Sequence, residues 1–376
     1  MRILLVSSSY APVLGGLQTA THALAREFIA RGHDVLVAAN RYPRALARAE
    51  EINGVQVRRL AFMKPELDQI RLRRGDLFFA GCALYPFTLL ALWRICRKFR
   101  PDVVNVHFPL SQIPFMLWLR KRFSFRLVVS LHGSEVLGLS SPVRRSRLRA
   151  ILREAHAVTA CSRYLLSKAV DLEPEVGLTG SVIHNGIDPR RFADRTPFPH
   201  PRSYIFAFGR LTYSKGFDLL LRAFAKLAAD FPAVDLIIGG EGEEREAIEQ
   251  TAASLKLDGR AIFPGRLDPE EVVRYLNGCR FLVIPSRSET FGIIALEGLA
   301  AGKPVLATNS GGLPETLRAW PEGTLLVQPS VDGLLEGMTA WLHGEMPQRS
   351  ERNTPGSIPT WSECACQYLG AFQRTR

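Results

Sequence analysis

The segment Ser286-Arg287-Ser288-Glu289-Thr290-Phe291-Gly292-Ile293-Ile294-Ala295-Leu296-Glu297-Gly298 joins a strand-like run ending at Pro285 to a helical pattern starting near Phe291. A helix N-terminus at the carboxyl end of a parallel strand has unpaired N–H groups and the positive end of the helix dipole, so it receives phosphate. Gly292 permits close backbone approach. Glu289 and Glu297 lie eight residues apart, and eight helical steps amount to a rotation of about 80°, so both carboxylates can border one cleft. Carboxylates accept hydrogen bonds from the hydroxyls of ribose and hexoses. Read alone, the segment is equally a helix cap with a solvated glutamate.

A second cluster is Phe206-Ala207-Phe208-Gly209-Arg210-Leu211-Thr212-Tyr213-Ser214-Lys215-Gly216, where a strand runs into Gly209 and a loop carries two cations. Arg210 and Lys215 at a strand's carboxyl end suit a diphosphate. A third strand opens into Gly239-Gly240-Glu241-Gly242, and near the chain start Gly15-Gly16 lies between a strand and a helix. Neither is a GxGxxG element, so the dinucleotide fingerprint is absent. His132-Gly133-Ser134-Glu135 follows the strand Leu127–Leu131. Singly, loop cations are usually solvated and a lone histidine is usually structural.

In combination and order, these motifs resemble the family-4 retaining glycosyltransferases of the GT-B fold. The similarity is densest from Tyr204 to Glu315. It runs through Gly209-Arg210, Lys215-Gly216, Gly239–Gly242, Phe263-Pro264-Gly265, Glu289 with Glu297, Gly302-Lys303-Pro304-Val305 and Gly311-Gly312-Leu313-Pro314-Glu315. It is looser in Tyr10-x-Pro12-x2-Gly15-Gly16, Arg31-Gly32-His33, His132-Gly133 and Val182–Asp188, and fades over residues 41–100. The resemblance implies that Arg210 and Lys215 hold a nucleotide diphosphate and that Glu289 touches the donor sugar. It gives the distal phosphate to the amides of Phe291 and Gly292, with Ile293 beside them, and the ribose to Glu297. Gly15 and Gly16 would line the phosphate, Gly209 and Glu241 would complete the donor site, and His132 would face the reacting sugar. The donor would be a UDP- or GDP-sugar, and no metal or other cofactor would be required, in keeping with the lack of an Asp-x-Asp element. Gly298 stands where the family usually has Ala, which is expected to loosen helix packing.

The elements that must carry these residues are legible in the apolar runs. Ile3–Val6, Val35–Ala38, Val103–Val106, Leu127–Leu131, Ala157–Ala160, Tyr204–Phe208, Val234–Ile238, Phe281–Ile284 and Val305–Ala307 lack polar alternation, as strands covered on both faces do. Helical patterns lie between them, such as Leu17, Ala20, Leu24 and Phe28, or Leu220, Phe224 and Leu227. The fold class is therefore α/β: two doubly wound, parallel-sheet, Rossmann-like domains, expected from the resemblance to face each other across a cleft. Pro189, Pro197, Pro199 and Pro201 mark residues 189–202 as a linker. The division is then an acceptor-binding domain over 1–188 and a nucleotide-sugar-binding domain over 203–359. The weak stretch Pro347 to Pro359 precedes a terminal helix, 360–376, which presents Trp361, Cys364, Tyr368 and Phe372 on one face and joins the first domain.

The chain of 376 residues, 47% hydrophobic and 22% charged, has the composition of a globular protein rather than a disordered or fibrous one. Its six cysteines are too sparse for a disulfide framework or zinc site and read as reduced thiols of a cytoplasmic protein. No secretory signal is read at the start. The charge is uneven: residues 1–185 carry 27 Lys and Arg against 13 Asp and Glu, and residues 186–376 carry 21 against 23. The basic groups Arg71-Leu72-Arg73-Arg74, Arg94 to Arg100, Arg120-Lys121-Arg122 and Arg144 to Arg149 point to an anionic partner for the first half. With no nucleic-acid module in view, that partner is expected to be an anionic membrane surface. Two apolar stretches, Leu77–Trp93 and Ile113–Leu119, precede basic groups as in interfacial segments. Leu77–Trp93, interrupted by Gly81 and Pro86, reads as a buried or interface-lying helix rather than a span. The expected function is transfer of a hexose-type sugar to a lipid-linked or cell-envelope glycan at the cytoplasmic face of the membrane, as in polysaccharide biosynthesis. A nucleotide-sugar epimerase and a non-catalytic nucleotide-sugar-binding scaffold are the alternatives.

Overall fold

The computed structural model describes residues 1–13, 15–63, 75–139, 141–345 and 358–374. The chain forms two compact units, one of Met1–His184 with Trp361–Arg376 and one of Asn185–Thr360. The basic group at 71–74 and most of the stretch from Pro347 lie outside the described residues.

The first unit is built on an eight-stranded sheet: β1 (Arg2–Ser7), β2 (Asp34–Asn40), β3 (Ala49–Ile52), β4 (Val55–Leu60), β5 (Val103–His107), β6 (Arg126–Leu131), β7 (Ala157–Ala160) and β8 (Gly180–Val182). The spatial order is β3-β4-β2-β1-β5-β6-β7-β8, parallel except for the β3–β4 edge pair. β1, β5 and β6 are buried along nearly their whole length, which accounts for their unbroken apolar runs. The helix Gly16–Ala30 buries Ala20, Leu24 and Phe28. The terminal helix Trp361–Gln373 packs on the same unit. Phe372 lies 5.5 Å from Phe28 between ring centroids, and Arg126 donates to the Phe372 carbonyl at 2.9 Å.

The second unit carries β9 (Ser203–Phe208), β10 (Val234–Gly239), β11 (Ala261–Gly265), β12 (Leu282–Ile284), β13 (Val305–Thr308) and β14 (Thr324–Val327). All pairs are parallel, in the order β11-β10-β9-β12-β13-β14. This is the doubly wound 3-2-1-4-5-6 arrangement, and its winding reverses between β9 and β12. The amphipathic helix Phe217–Leu227 presses Leu220, Leu221, Phe224 and Leu227 onto this sheet.

Three expectations change at this level. Residues 189–202 are held to the second unit instead of hanging between units. Pro189–Phe192 is a 3-10 turn capped by Asp188, and Phe198 stacks on Tyr275 with centroids 4.0 Å apart. His200 and Arg202 reach Asp235 at 2.8 and 3.2 Å. Prolines keep this segment extended, but its aromatic and charged side chains anchor it. Second, Ile113–Leu119 is core: Ile113, Phe115, Met116 and Leu119 are all buried, so it offers little apolar surface to a membrane. Third, Gly298 tightens packing. A Cβ there would lie 2.8 Å from Leu282 Cδ2 and 3.2 Å from Val305 Cγ2, so the missing methyl lets the helix Ile293–Ala300 lie close on β12 and β13.

The apolar stretch expected as a buried or interface-lying helix is the helix Gly75–Phe99, with Pro86 inside it. Its buried residues are Gly81, Thr88, Leu92 and Cys96, and Thr88 Oγ1 donates to the Ala61 carbonyl at 2.8 Å. Phe79, Phe87 and Leu90 are exposed on the opposite side. The helix is long and apolar enough to cross a membrane by length and composition. One side is nevertheless tied to the globular unit.

Candidate active site

In an open parallel sheet, ligands bind beyond the carboxyl ends of the strands where the winding reverses. In the second unit that place lies between the loops after β9 and β12, and the two loops are joined. Arg287 and Ser288 donate backbone N–H bonds to the Ser214 carbonyl at 2.8 and 3.1 Å. Arg287 clamps Asp218 with two bonds of 2.6 and 2.7 Å and lies 4.1 Å above the Tyr213 ring. Gly216 has φ +66°, and a side chain there would collide with the Pro285 carbonyl. Only glycine lets the two loops approach this closely.

This joining sets Lys215 beside Glu289, whose carboxylate Oε2 accepts directly from the Lys215 ammonium. Glu289 is held from behind. The Gly312 N–H donates to its carbonyl at 2.9 Å, and Gly311 (φ +57°) presses so close to that carbonyl that a Cβ would not fit. The other Glu289 oxygen takes the Thr290 N–H at 3.0 Å. The helix starts at Ile293, with Gly292 as its N-cap, two residues later than the sequence pattern suggests. Among the described residues, no protein acceptor faces the N–H groups of Gly292 and Ile293. Phe291 is buried, and its carbonyl accepts from Thr316 Oγ1 at 2.6 Å.

Arg210 is exposed and makes no side-chain bond or ion pair among the described residues. Gly209 donates its N–H to the Gly239 carbonyl at 3.1 Å, and the Glu241 carbonyl accepts from Leu211 at 2.9 Å. The Glu241 side chain points to Arg245, which also holds Glu249 at 2.9 Å. The switch point thus collects two cations, a glutamate and two N–H groups free for an anion.

Glu297 goes elsewhere. Because Glu289 precedes the helix, the helical rotation between the two glutamates does not apply, and each carboxylate has its own cation. Glu297 takes Arg191 at 3.2 Å, and Arg191 also donates to the Pro269 carbonyl at 2.7 Å. Burial raises the Glu297 carboxyl above its ordinary range, and the Arg191 guanidinium opposes that rise. Arg191 went unnoticed in the sequence because it sits in a proline-rich stretch read as linker.

The first unit has its own reversal, between β1 and β5. Gly15 and Gly16 open the helix Gly16–Ala30 after β1, and the Gly15 carbonyl accepts the Thr19 N–H at 2.9 Å. His132 follows β6. Its backbone N–H and that of Gly133 both donate to the Glu135 carboxylate, the second at 2.8 Å. Burial lifts the Glu135 carboxyl to about 7, against the pull of those N–H groups. The His132 ring stacks on His107, the last residue of β5, with Nε2 of His132 3.0 Å from Nδ1 of His107. Burial drops the His132 imidazole to about 4 and, with the neighbouring His132, holds His107 well below its ordinary range, so both rings are neutral at physiological pH. His107 escaped the sequence reading because it looks like the end of an apolar strand.

Residues 189–356 match the model of the glycosyl transferases group 1, and residues 14–191 match glycosyltransferase family 4. The chain is 31% identical over 350 residues to a glycogen synthase of Mycobacterium tuberculosis, covering 89% of this chain and 84% of that protein. It is 28% identical over 360 residues to a GDP-mannose-dependent phosphatidylinositol monomannoside mannosyltransferase of Mycolicibacterium smegmatis, covering 88% and 87%. Its fold matches a sucrose-phosphate synthase of Thermosynechococcus elongatus with a TM-score of 0.79 at 20% identity, over 99% of this chain and 98% of that one. Two parallel-sheet α/β units, both family models and these relatives agree: the chain belongs to the group 1, family 4 glycosyltransferases and has the GT-B fold.

Proposed function

We propose that the protein is a retaining, metal-independent hexosyltransferase that takes its sugar from a UDP- or GDP-sugar. The observation that carries this is the switch point of the second unit, where Lys215 meets Glu289 while Arg210 and the amides of Gly292 and Ile293 remain available. The two cations neutralise the departing diphosphate, and fixed donors of this kind contribute much of the rate in such reactions. Glu289 accepts from hydroxyls of the donor sugar, and a diphosphate draws Lys215 away from it. Glu297 serves the ribose while sharing its charge with Arg191. His132, a neutral imidazole, attends the reacting sugar. Departure and attack on the same face of the sugar preserve its configuration without a carboxylate nucleophile.

The acceptor in this reading is a lipid-linked or envelope glycan at the cytoplasmic membrane face. The mannosyltransferase relative acts on a phosphatidylinositol glycolipid, by its name. The helix Gly75–Phe99 adds physical support. Phe79, Ala83, Phe87 and Leu90 follow one exposed line, and Arg94, Arg97 and Lys98 continue it at the C-terminal end. Apolar surface ending in cations matches an in-plane interfacial helix, each cation adding about 1 kcal/mol near anionic lipid.

Incubation with a panel of nucleotide sugars tests the reaction: free nucleoside diphosphate should appear only with acceptor, apart from slow hydrolysis. Isomerised donor without release would indicate an epimerase, and donor binding without turnover would indicate a scaffold. Sedimentation with vesicles tests the membrane. Binding should rise with anionic lipid, fall with salt, and drop in Phe79→Ser/Phe87→Ser. Protein left in the supernatant at low salt would favour a soluble acceptor.

A further inference from the structure

His107 has no place in the donor chemistry described above, yet its surroundings are unusual. It ends β5, between Ser7 of β1 and Ser130 of β6 in the sheet register, and it is fully buried. Beneath it runs a buried polar file. Asn105 donates to Ser130 Oγ at 2.8 Å, Thr159 donates to the same hydroxyl at 2.9 Å, and Tyr368 of the terminal helix lies 3.4 Å from Thr159. His107 bonds none of these groups; its Nδ1 turns to His132, and its Nε2 is buried with no partner among the described residues. Leaving a buried polar atom unpaired is costly, so the His107 ring is held where it is for what its other nitrogen does.

Two neutral imidazoles sharing one hydrogen bond hold one proton between them. If His132 were the donor, the proton of His107 would lie on its buried Nε2, as an N–H with no acceptor. If His107 is the donor, its Nε2 is a bare acceptor. Buried N–H groups without acceptors are the rarer of the two defects, which favours His107 as donor. Histidine's tautomer is set by the hydrogen bond its other nitrogen makes.

We propose that His107 is a positioning residue for the transfer reaction: its Nδ1–H donates to Nε2 of His132 and fixes that ring with its proton on Nδ1. His132 then meets substrate as an N–H donor, suited to an oxygen that gains charge, and not as a base. Glu135 holds the backbone of His132 while His107 holds its ring, so both are fixed before substrate arrives. The inference rests on the role given to His132 under the proposed function, and the experiment separates the two.

The test uses ¹⁵N-histidine-labelled full-length protein, in which pyrrole-type and pyridine-type ring nitrogens give distinct shifts. In the wild type, His132 is expected to show a protonated Nδ1 and a bare Nε2. His107→Phe keeps a ring but removes the donor. It should change the His132 tautomer populations from those of the wild type and lower kcat on the order of 10–100-fold, as losing an orienting partner does, with the donor KM within about two-fold. His107→Asn restores an N–H near the Nδ1 position and should recover the tautomer and most of kcat. A wild-type His132 protonated on Nε2, or one unmoved by either substitution, overturns the inference. Should His107→Phe not fold, the wild-type spectrum and His107→Asn still decide. Normal turnover in His132→Ala would remove the role of His132 in transfer and leave the tautomer result standing by itself.

Discussion

Replacing Lys215 with alanine separates what its ion pair does for the fold from what its charge does for the reaction. The Lys215 side chain is 27% exposed and Glu289 10%, so the pair is intermediate between a surface contact and a buried one. Surface pairs contribute about 0–1 kcal/mol, and breaking a buried pair costs about 3–5 kcal/mol. A loss of about 1–2 kcal/mol is expected here, a fall in Tm of roughly 2–8 °C for a unit of this size. Against a total stability of about 5–15 kcal/mol, that leaves the enzyme almost fully folded at 25 °C. The rate should suffer more. Losing one fixed donor to a developing anion costs about 10²–10³ in kcat, or roughly 2.7–4 kcal/mol. Release of nucleoside diphosphate in the presence of acceptor measures the rate, and thermal denaturation measures the fold. Adding Glu289→Gln to Lys215→Ala removes the orphaned carboxylate, so stability should return while turnover does not. Turnover within a few-fold of wild type in Lys215→Ala, or recovered in the double variant, would refute the assignment of this cation to the leaving group.

The remaining expectations concern the same two sites. Arg210→Ala should leave Tm unchanged, since Arg210 has no side-chain partner among the described residues, and lower kcat about 10²–10³-fold in the same assay. EDTA should leave initial rates unaltered because side chains supply the charge; activity lost to EDTA and restored by magnesium or manganese would place a metal at the donor phosphates. Burial keeps His132 neutral down to about pH 4, so the unfolded chain binds a proton before the native one does as pH falls from about 6.5. That removes about 3 kcal/mol of stability across the window, which is fully present above it. Urea unfolding of His132→Phe at pH 7.5 and 4.5 should show a smaller difference between the two pH values than wild type.

The central strands were legible because a strand covered on both faces is apolar without interruption: all nine apolar runs lie on strands of the two sheets. The missed strands are those for which that rule fails. β4 alternates buried Val55 and Val57 with exposed or half-buried polar residues, β3 is Ala-Glu-Glu-Ile at an edge, β8 is only Gly-Ser-Val, and β11 and β14 are the mostly half-buried outer strands of the second sheet. Arg210, Lys215 and Glu289 of the second unit fall on loops, where the spacing put them, while Glu297 lies inside the helix Ile293–Ala300 and Phe263-Pro264-Gly265 end β11. Their pairing could not be read: Lys215 and Glu289 are 74 positions apart, and Arg191 and Glu297 are 106 apart. Such meetings depend on strand order, which local pattern does not encode. The reversal between β9 and β12 sets Lys215 against Glu289, and the docking of residues 189–202 brings Arg191 to Glu297.

The terminal helix has a consequence for how the chain is made. Residues 185–360 form an uninterrupted unit, whereas the first unit draws on Trp361–Gln373 for Phe372 against Phe28 and for Tyr368 beside Thr159. During synthesis, domains ordinarily fold in the order they emerge. Here the earlier unit must wait for a helix made after the later unit, so the later unit can close its core while the earlier one still exposes the seat of the helix. A nascent chain stalled before Trp361 should therefore hold a protease-resistant second unit behind a protease-sensitive first one.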